Sequence, residues 1–396
     1  MSELVESIQN HTEQGAITDA EIFQAHQGGK LSVGPTTPLD TQRSLSIAYT
    51  PGVAQVSRAI AGDHTLASRY TWAGRLVAVV SDGSAVLGLG DIGPAASLPV
   101  MEGKCGLFKE FAGLDAIPIV LDTKDPAEIV QTLVRLRPTF GAVNLEDISA
   151  PRCFDIERRL IEALDCPVMH DDQHGTAIVV LAALLGATSL LHRDMTALRI
   201  VISGAGAAGI ACANLLLATG VSDITVLDSQ GILHHGRGDM NSVKSELAQR
   251  TNPLDRSGGM VEALEGADVF IGVSGGVVPE ELIATMAPEG IVFALSNPDP
   301  EIQPDVAAKH AAVVATGRSD FPNQINNVLA FPGLFRGALD AGARRITQQM
   351  MLAAAQAIFS VVRDDLAPDR IVPSPLDPQV GKSVATAVAA ASDTAG

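Results

Sequence analysis

The chain has 396 residues, 46% of them hydrophobic and 18% charged, enough apolar material for two packed domains rather than one. Its formal net charge of −18 argues against a nucleic-acid partner, because phosphate recognition needs basic stripes, and obliges any anionic substrate to find local positive charge. Cys105, Cys153, Cys166 and Cys212 form no C-x-x-C pair, as expected of reduced thiols in the cytoplasm. No charged-then-apolar leader opens the sequence, and the longest apolar run, residues 176–191, falls short of the ~20 residues a spanning helix needs. That run reads as a buried helix, with no membrane contact.

Near the start, Thr18 and Glu21 have the spacing of a capping box ahead of a short helix that Gly28 and Gly29 end. In YTPGVAQVSRAI, Thr50 is placed to cap a helix with Pro51 in its first position, leaving Tyr49 just outside the N-terminus. By itself Tyr49 is as readily a buried ring as a functional group. LVAVVSDGSAVLGLGDIG predicts a β-hairpin about the Asp82-Gly83 turn, followed by a loop over residues 88–93. Residues 98–112 predict a helix whose Val100, Leu107, Phe108 and Phe111 face a core. Lys104 sits there among Gly103, Cys105 and Gly106. It is either a desolvated lysine with a lowered pKa, and so a usable base, or a snorkelling side chain with its head in water. IPIVLDT, a helix over residues 126–136 and GAVNLED then repeat the strand, helix, strand rhythm of a parallel sheet.

Two β-like runs, residues 142–145 and 167–169, are each followed at once by a pair of carboxylates, Glu146 with Asp147 and Asp171 with Asp172. If both runs are parallel strands joined by the amphipathic segment 154–164, all four acids meet at the carboxyl edge of one sheet, where open α/β folds bind ligands. Like charges that close need a proton or a cation among them. Oxygen donors without cysteine or paired histidine select magnesium or manganese over zinc. The competing reading is helix N-capping.

A second unit begins at LRIVISGAGAAGIACANLLLATG. A strand over residues 199–203 runs through Gly204, Ala205, Gly206, Ala207, Ala208 and Gly209, with glycines in G-x-G-x-x-G spacing, into a helix. The next strand ends at Asp228, about 20 residues on, as the dinucleotide fingerprint requires. Asp228 is placed to hold a ribose 2′-hydroxyl, which favours NAD, but His234, His235 and Arg237 follow closely and could meet the 2′-phosphate of NADP. ADVFIGVSGG, GIVFALSNP and AAVVATGRSD add three strands, giving a doubly wound sheet. Asn297, Asn326 and Asn327 lie beyond these strands, where turn and ligand roles are both open. Residues 344–364 read as one helix, and residues 368–378 as a proline-rich extended segment before a polar helix or frayed end.

Taken together, YTPGVA, DGSAVLGLGDIG, PVMEGK, NLEDISAP, HDDQHGTA, SGAGAAG, ALSNP and NQINNVLAFPG resemble the malic enzyme family in its short bacterial and archaeal form. The resemblance implies an α/β fold of two domains: an N-terminal α/β domain over residues 1–170 with substrate, metal and catalytic residues, and a Rossmann-type NAD(P) domain over residues 171–335. C-terminal helices and a tail follow over residues 336–396. It implies a metal-dependent, NAD- or NADP-linked conversion of malate to pyruvate and carbon dioxide by a cytoplasmic homodimer. Glu146, Asp147 and Asp172 look like ligands of Mg2+ or Mn2+, Lys104 like the general base, Tyr49 like the general acid, and Asp171 like the lysine's acidic support. Thr176 and Asn297 are similar to coenzyme contacts, and Asn297 with Asn327 to substrate contacts. Larger members carry an arginine in the DGxR segment to grip a substrate carboxylate, and this sequence has Ala85 there. A malolactic reaction ending at lactate and a dinucleotide-sensing module without turnover are the rival readings.

Overall fold

The computed structural model describes residues 18–86 and 88–392. Two parallel sheets organise it. The first has the order β2-β1-β3-β4, formed by β1 (Leu76–Ser81), β2 (Asp115–Val120), β3 (Ala142–Leu145) and β4 (Val168–His170). The second has the order β10-β9-β8-β5-β6-β7, formed by β5 (Arg199–Ser203), β6 (Asp223–Asp228), β7 (Gly231–Ile232), β8 (Val269–Gly272), β9 (Gly290–Ala294) and β10 (Ala311–Thr316). All pairings are parallel except that of β7 with β6. Strands of parallel sheets are apolar on both faces because helices cover both. In β1, Val77 and Val79 join one core while Leu76, Ala78 and Val80 join another on the opposite face.

Four N-terminal helices, α1 (Asp19–His26), α2 (Gln42–Ala48), α3 (Val53–Gly62) and α4 (Leu66–Tyr70), bury no residue. The Thr18–Glu21 capping box forms as its spacing predicts. The expected start at Thr50 and Pro51 does not. Helix α3 begins at Val53 with Gly52 as its cap and no side-chain capping bond, behind a cis Thr50-Pro51 peptide. The expected hairpin about Asp82-Gly83 is also absent among the described residues. Both edges of β1 are already taken, by β2 and β3, so no returning strand can pair with it, and residues 82–86 and 88–93 are irregular.

Helix α5 (Pro94–Ala112) follows. Its buried face is Ser97, Met101, Cys105 and Phe108, whereas Val100 and Leu107, expected in the core, are exposed. Helices α6 (Pro126–Leu136) and α7 (Arg152–Ala163) cover the other face of the first sheet. Helix α8 (Asp171–Leu190) starts directly from β4. It is apolar all round, the signature of a helix buried on every side. At 20 residues it reaches the length of a membrane span, contrary to the shorter run expected from sequence, yet 72% of its apolar window is buried inside the protein. Together with α9 (Ala207–Ala218) it belongs to a single core that draws on both sheets.

Three C-terminal helices, α10 (Phe331–Asp340), α11 (Gln348–Val362) and α12 (Pro378–Ser392), complete that core. The helix expected over residues 344–364 is shorter because Thr347 caps it at the start and a 3-10 turn ends it. Helix α12, expected to be polar or frayed, buries Val380, Val384 and Val388. Phe331 and Phe335 of α10 stand edge-on to Phe108 of α5, with centroids 4.7 and 5.4 Å away, and so tie the C-terminal helices to the first sheet.

Helices α10 and α12 approach closely because Gly333 and Gly337 lack side chains. A Cβ on Gly337 would lie 2.4 Å from the Ala385 carbonyl oxygen and 2.8 Å from Val388 Cβ. Gly337→Ala is expected to lower stability by about 1–3 kcal/mol, the usual cost of overpacking, despite the gain in helix propensity. Gly106→Ala on α5, where an added Cβ meets nothing within 4 Å, is the control and should not destabilise. Thermal unfolding of the two variants checks the pair.

Candidate active site

Strands β3 and β4 are neighbours with Leu145 opposite His170. The residues that follow each strand therefore emerge side by side at the carboxyl edge of the sheet. Glu146, Asp147 and Asp172 each bring a carboxylate oxygen within 4.8 Å of the others. Asp147 adopts φ 54°, the left-handed region that a non-glycine residue enters only when its surroundings impose it. Here its N–H donates to Asp172 Oδ2 at 2.8 Å and its carbonyl accepts from Ala85 N at 2.9 Å. Asn144 Nδ2 donates to Glu146 Oε2 at 2.8 Å. Burial and the facing Asp172, Asp171 and Asp147 carboxylates push the Glu146 carboxyl well above its ordinary range, against the pull of Lys104. Three hard oxygen donors strained by mutual repulsion are a donor set that fits magnesium or manganese.

Lys104 projects from α5 into this cluster. Its Nζ lies 2.6 Å from Asp171 Oδ2 and 2.8 Å from Glu146 Oε1, and 4.1 Å from the centre of the Phe331 ring. A desolvated lysine was expected to have a lowered pKa. The reverse holds: burial does pull it down, but Asp171 and Glu146 outweigh burial and raise it above the ordinary lysine value. With no cation among the carboxylates, an ion pair on each side thus favours the charged amine.

Asp171 is wholly buried. Besides Lys104 it accepts from Asn327 Nδ2 at 3.0 Å, and Asn327 Oδ1 accepts from Thr176 Oγ1 at 3.2 Å. This arrangement needs Gly175. A Cβ at that position would come within 2.0 Å of Asp171 Oδ1, so the carboxylate lies against its own helix only because the next turn carries no side chain. Beneath the cluster, Glu157 of α7 accepts from His170 N at 2.7 Å and pairs with His174 Nε2 at 3.0 Å, fixing the junction of β4 and α8 from below. Sequence reasoning missed Glu157. Its signal is its place within the apolar stripe Cys153, Ile156 and Leu160 of an otherwise amphipathic helix.

On the second sheet the turn 204–209 joins β5 to α9. Gly204 has φ 124°, and a Cβ on Gly209 would sit 1.7 Å from the Gly204 carbonyl oxygen. Only glycine allows that strand-to-helix approach, which leaves the first N–H groups of α9 available to an anion. Asp228, at the end of β6, is not free to act as sequence suggested. Oδ1 accepts from Gln230 N and Arg237 Nη1, both at 2.9 Å, and Oδ2 from Arg237 Nη2 at 3.1 Å and Lys244 Nζ at 2.7 Å. All four acceptor positions of the carboxylate are filled, and it is held down to about 2, burial being outweighed by these donors. Lys244 was missed because it lies 16 residues on, in the first turn of a later helix (Ser242–Ala248). His235 turns away to Asp255, while His234 lines a cavity of about 640 Å³ together with Asp228 and Arg237.

A larger cavity, about 920 Å³, brings together Lys104, Glu146, Asp147, Asp172, Thr176, Asn297 and Asn327 between the two sheets. Asp171 lies behind its wall. Asn326 also lines it, and its Oδ1 accepts from Val328 N at 3.0 Å to cap the 3-10 turn. Tyr49 is the exception: it is 71% exposed on the N-terminal segment and does not line this cavity. Ala85 does not line it either. Gly175→Ala is expected to displace the Asp171 carboxylate and, with it, Lys104. The effect should be a loss of turnover of about 10- to 100-fold together with a lowered unfolding temperature, because displacing Asp171 disturbs its buried ion pair with Lys104. Steady-state kinetics with thermal unfolding checks it.

Comparison with known proteins identifies the family. Residues 28–161 match the family described as Malic enzyme, N-terminal domain, and residues 173–393 match Malic enzyme, NAD binding domain. The chain is 54% identical over 92% of its length to the NAD-dependent malic enzyme of Geobacillus stearothermophilus, covering 77% of that protein. It is 52% identical to the bifunctional malic/malolactic enzyme of Bacillus subtilis, covering 92% of this chain and 90% of that one. The crystal structure of the NAD-dependent malic enzyme from Thermotoga maritima superimposes with a TM-score of 0.90 at 45% identity, over 94% of this chain and 99% of that one. With both domain types matched in order and nearly the whole length shared, the chain belongs to the malic enzyme family.

Proposed function

We propose that this protein oxidises and decarboxylates malate to pyruvate and carbon dioxide while reducing NAD or NADP, in the cytoplasm and as a homodimer. The observation that carries the reading is Lys104, held at 2.6 Å from Asp171 and 2.8 Å from Glu146, in one cavity with a three-carboxylate cluster and facing a dinucleotide-type sheet. Glu146, Asp147 and Asp172 would hold magnesium or manganese. When bound, such an ion supplies charge that offsets the carboxylates and a Lewis acid for the C1 carboxylate and C2 oxygen of malate.

The chain's own groups divide the proton work. A divalent ion held by Glu146 would offset one of the two carboxylates that keep the amine charged; Lys104, neutral in that state, would take the C2 hydroxyl proton while a bound coenzyme would accept the hydride, and Asp171 keeps the amine aimed through its hydrogen bond. After carbon dioxide leaves, Tyr49 returns a proton to C3. One proton is taken and one is given, so the two residues must exchange a proton between turnovers. Asn327, anchored on Asp171 and Thr176, and Asn297 orient the substrate and the nicotinamide end of the coenzyme.

Tyr49 lies outside the cavity of its own chain, on a segment that also exposes Phe23, Leu45 and Ile47. A homodimer that covers this apolar segment can deliver Tyr49 to the cavity of the other copy. The homodimer and the acid role of Tyr49 thus stand on the same surface.

Reduced-coenzyme absorbance should rise when malate and either metal are supplied with NAD or with NADP, and chelation by EDTA should stop it. Absence of any rise with both coenzymes overturns the reading. Lactate without net reduced coenzyme would instead indicate the malolactic outcome named for the Bacillus subtilis relative. Lys104→Ala should lower turnover by about 10²- to 10⁴-fold, the usual size of a lost acid or base, while coenzyme titration stays near wild type; near-normal turnover removes the base assignment. Mixing inactive Lys104→Ala and Tyr49→Phe chains under conditions of subunit exchange should regain activity, because one hybrid cavity then holds both intact residues. No regain at all would place Tyr49 with its own chain's lysine or outside the reaction.

A further inference from the structure

The cavity is short of positive charge for a substrate with two carboxylates. Glu146, Asp147, Asp172, Asp299 and Asp320 line it and Asp171 lies buried behind its wall, six carboxylates against Lys104, whose amine is already paired with Asp171 and Glu146. Ala85 removes the arginine that larger family members use. Among the described residues lining the cavity, one further cation is present: Arg318, two residues beyond the end of β10.

Arg318 is already aligned. Its Nε donates to Asp320 Oδ1 at 2.8 Å and its Nη2 to Asp320 Oδ2 at 2.5 Å, and the guanidinium lies 5.1 Å from the centre of the Phe321 ring. Asp320 occupies one edge of the guanidinium and Phe321 lies beneath it. No described residue accepts from the Nη1 edge, which leaves donors of the planar fork for a ligand. A fork of this kind matches a carboxylate in a way that a lysine point charge does not.

We infer that Arg318 is the substrate-carboxylate anchor of this protein, and that it holds the carboxylate retained in pyruvate rather than the one released as carbon dioxide. The inference rests on the malate reading above and adds to it a residue and a regiochemistry. The choice between the two carboxylates follows from charge. The departing carboxylate becomes neutral carbon dioxide, so a cation gripping it stabilises the ground state more than the transition state and slows the step. The retained carboxylate stays anionic from malate to pyruvate, so a grip on it orients without penalty.

The test uses the full-length chain with manganese and oxidised coenzyme, and compares wild type with Arg318→Ala and Arg318→Lys. Calorimetric titration with pyruvate reads the retained carboxylate without turnover, and steady-state kinetics gives KM for malate. Arg318→Ala is expected to weaken pyruvate binding and raise the malate KM by about 10- to 100-fold, the range for hydrogen bonds to charged groups. Arg318→Lys should fall between the two, with coenzyme affinity within about twofold of wild type in both. If Arg318→Ala binds pyruvate as wild type does, the inference is overturned, even when the malate KM rises, because the residue then reads the other carboxylate. An equal loss of coenzyme affinity also overturns it. A wild-type protein that neither turns over malate nor binds pyruvate brings down the malate reading itself, whereas normal wild-type turnover with an indifferent Arg318→Ala removes only the anchor.

Discussion

A buried lysine between two buried carboxylates is the constraint from which the rest of this site follows. Lys104, Asp171 and Glu146 come from α5, α8 and the end of β3, three elements distant in sequence, and they meet at 2.6 and 2.8 Å. Removing one partner of a buried pair typically costs about 3–5 kcal/mol, because it strands the other charge away from water. Each element therefore holds the others in position. Gly175 gives Asp171 its room, Asn327 caps the same carboxylate from the second half of the chain, and Phe331 covers the amine.

Helix α8 turns that local constraint into an architecture. Its first turn supplies Asp171 and Asp172 at the edge of the first sheet, and its apolar body lies in the core shared with the second sheet. The acidic cluster and the glycine turn at β5 are thus joined through one apolar core. The cavity between them brings Lys104, the three carboxylates and the asparagines together. Its wall is strongly anionic, and Arg318 is the second cation among the described residues that line it.

Much of this was legible in the sequence, for physical reasons that vary by residue. The convergence of Glu146, Asp147 and Asp172 was readable because parallel strands expose their carboxyl ends together, so an acidic pair after each of two apolar runs has to meet. The glycine turn was readable because its strand and helix flank it. What stayed hidden depended on long-range partners. Local context around Lys104 suggested desolvation, but the two carboxylates that raise its pKa lie 42 and 67 residues away. Asp228 looked free because Lys244, its second cation, belongs to a later helix. The hairpin after β1 was a sound local reading defeated by topology, since both edges of that strand were already paired. Tyr49, identified through family resemblance, lies on a segment that is exposed among the described residues.

The central claim is that three acidic side chains form a seat for a divalent cation beside a lysine. Crystals grown with manganese and coenzyme, measured at the manganese absorption edge, address it directly. The account predicts one anomalous peak coordinated together by the carboxylates of Glu146, Asp147 and Asp172. An ordered site without that peak, or a peak held by other residues, would contradict it.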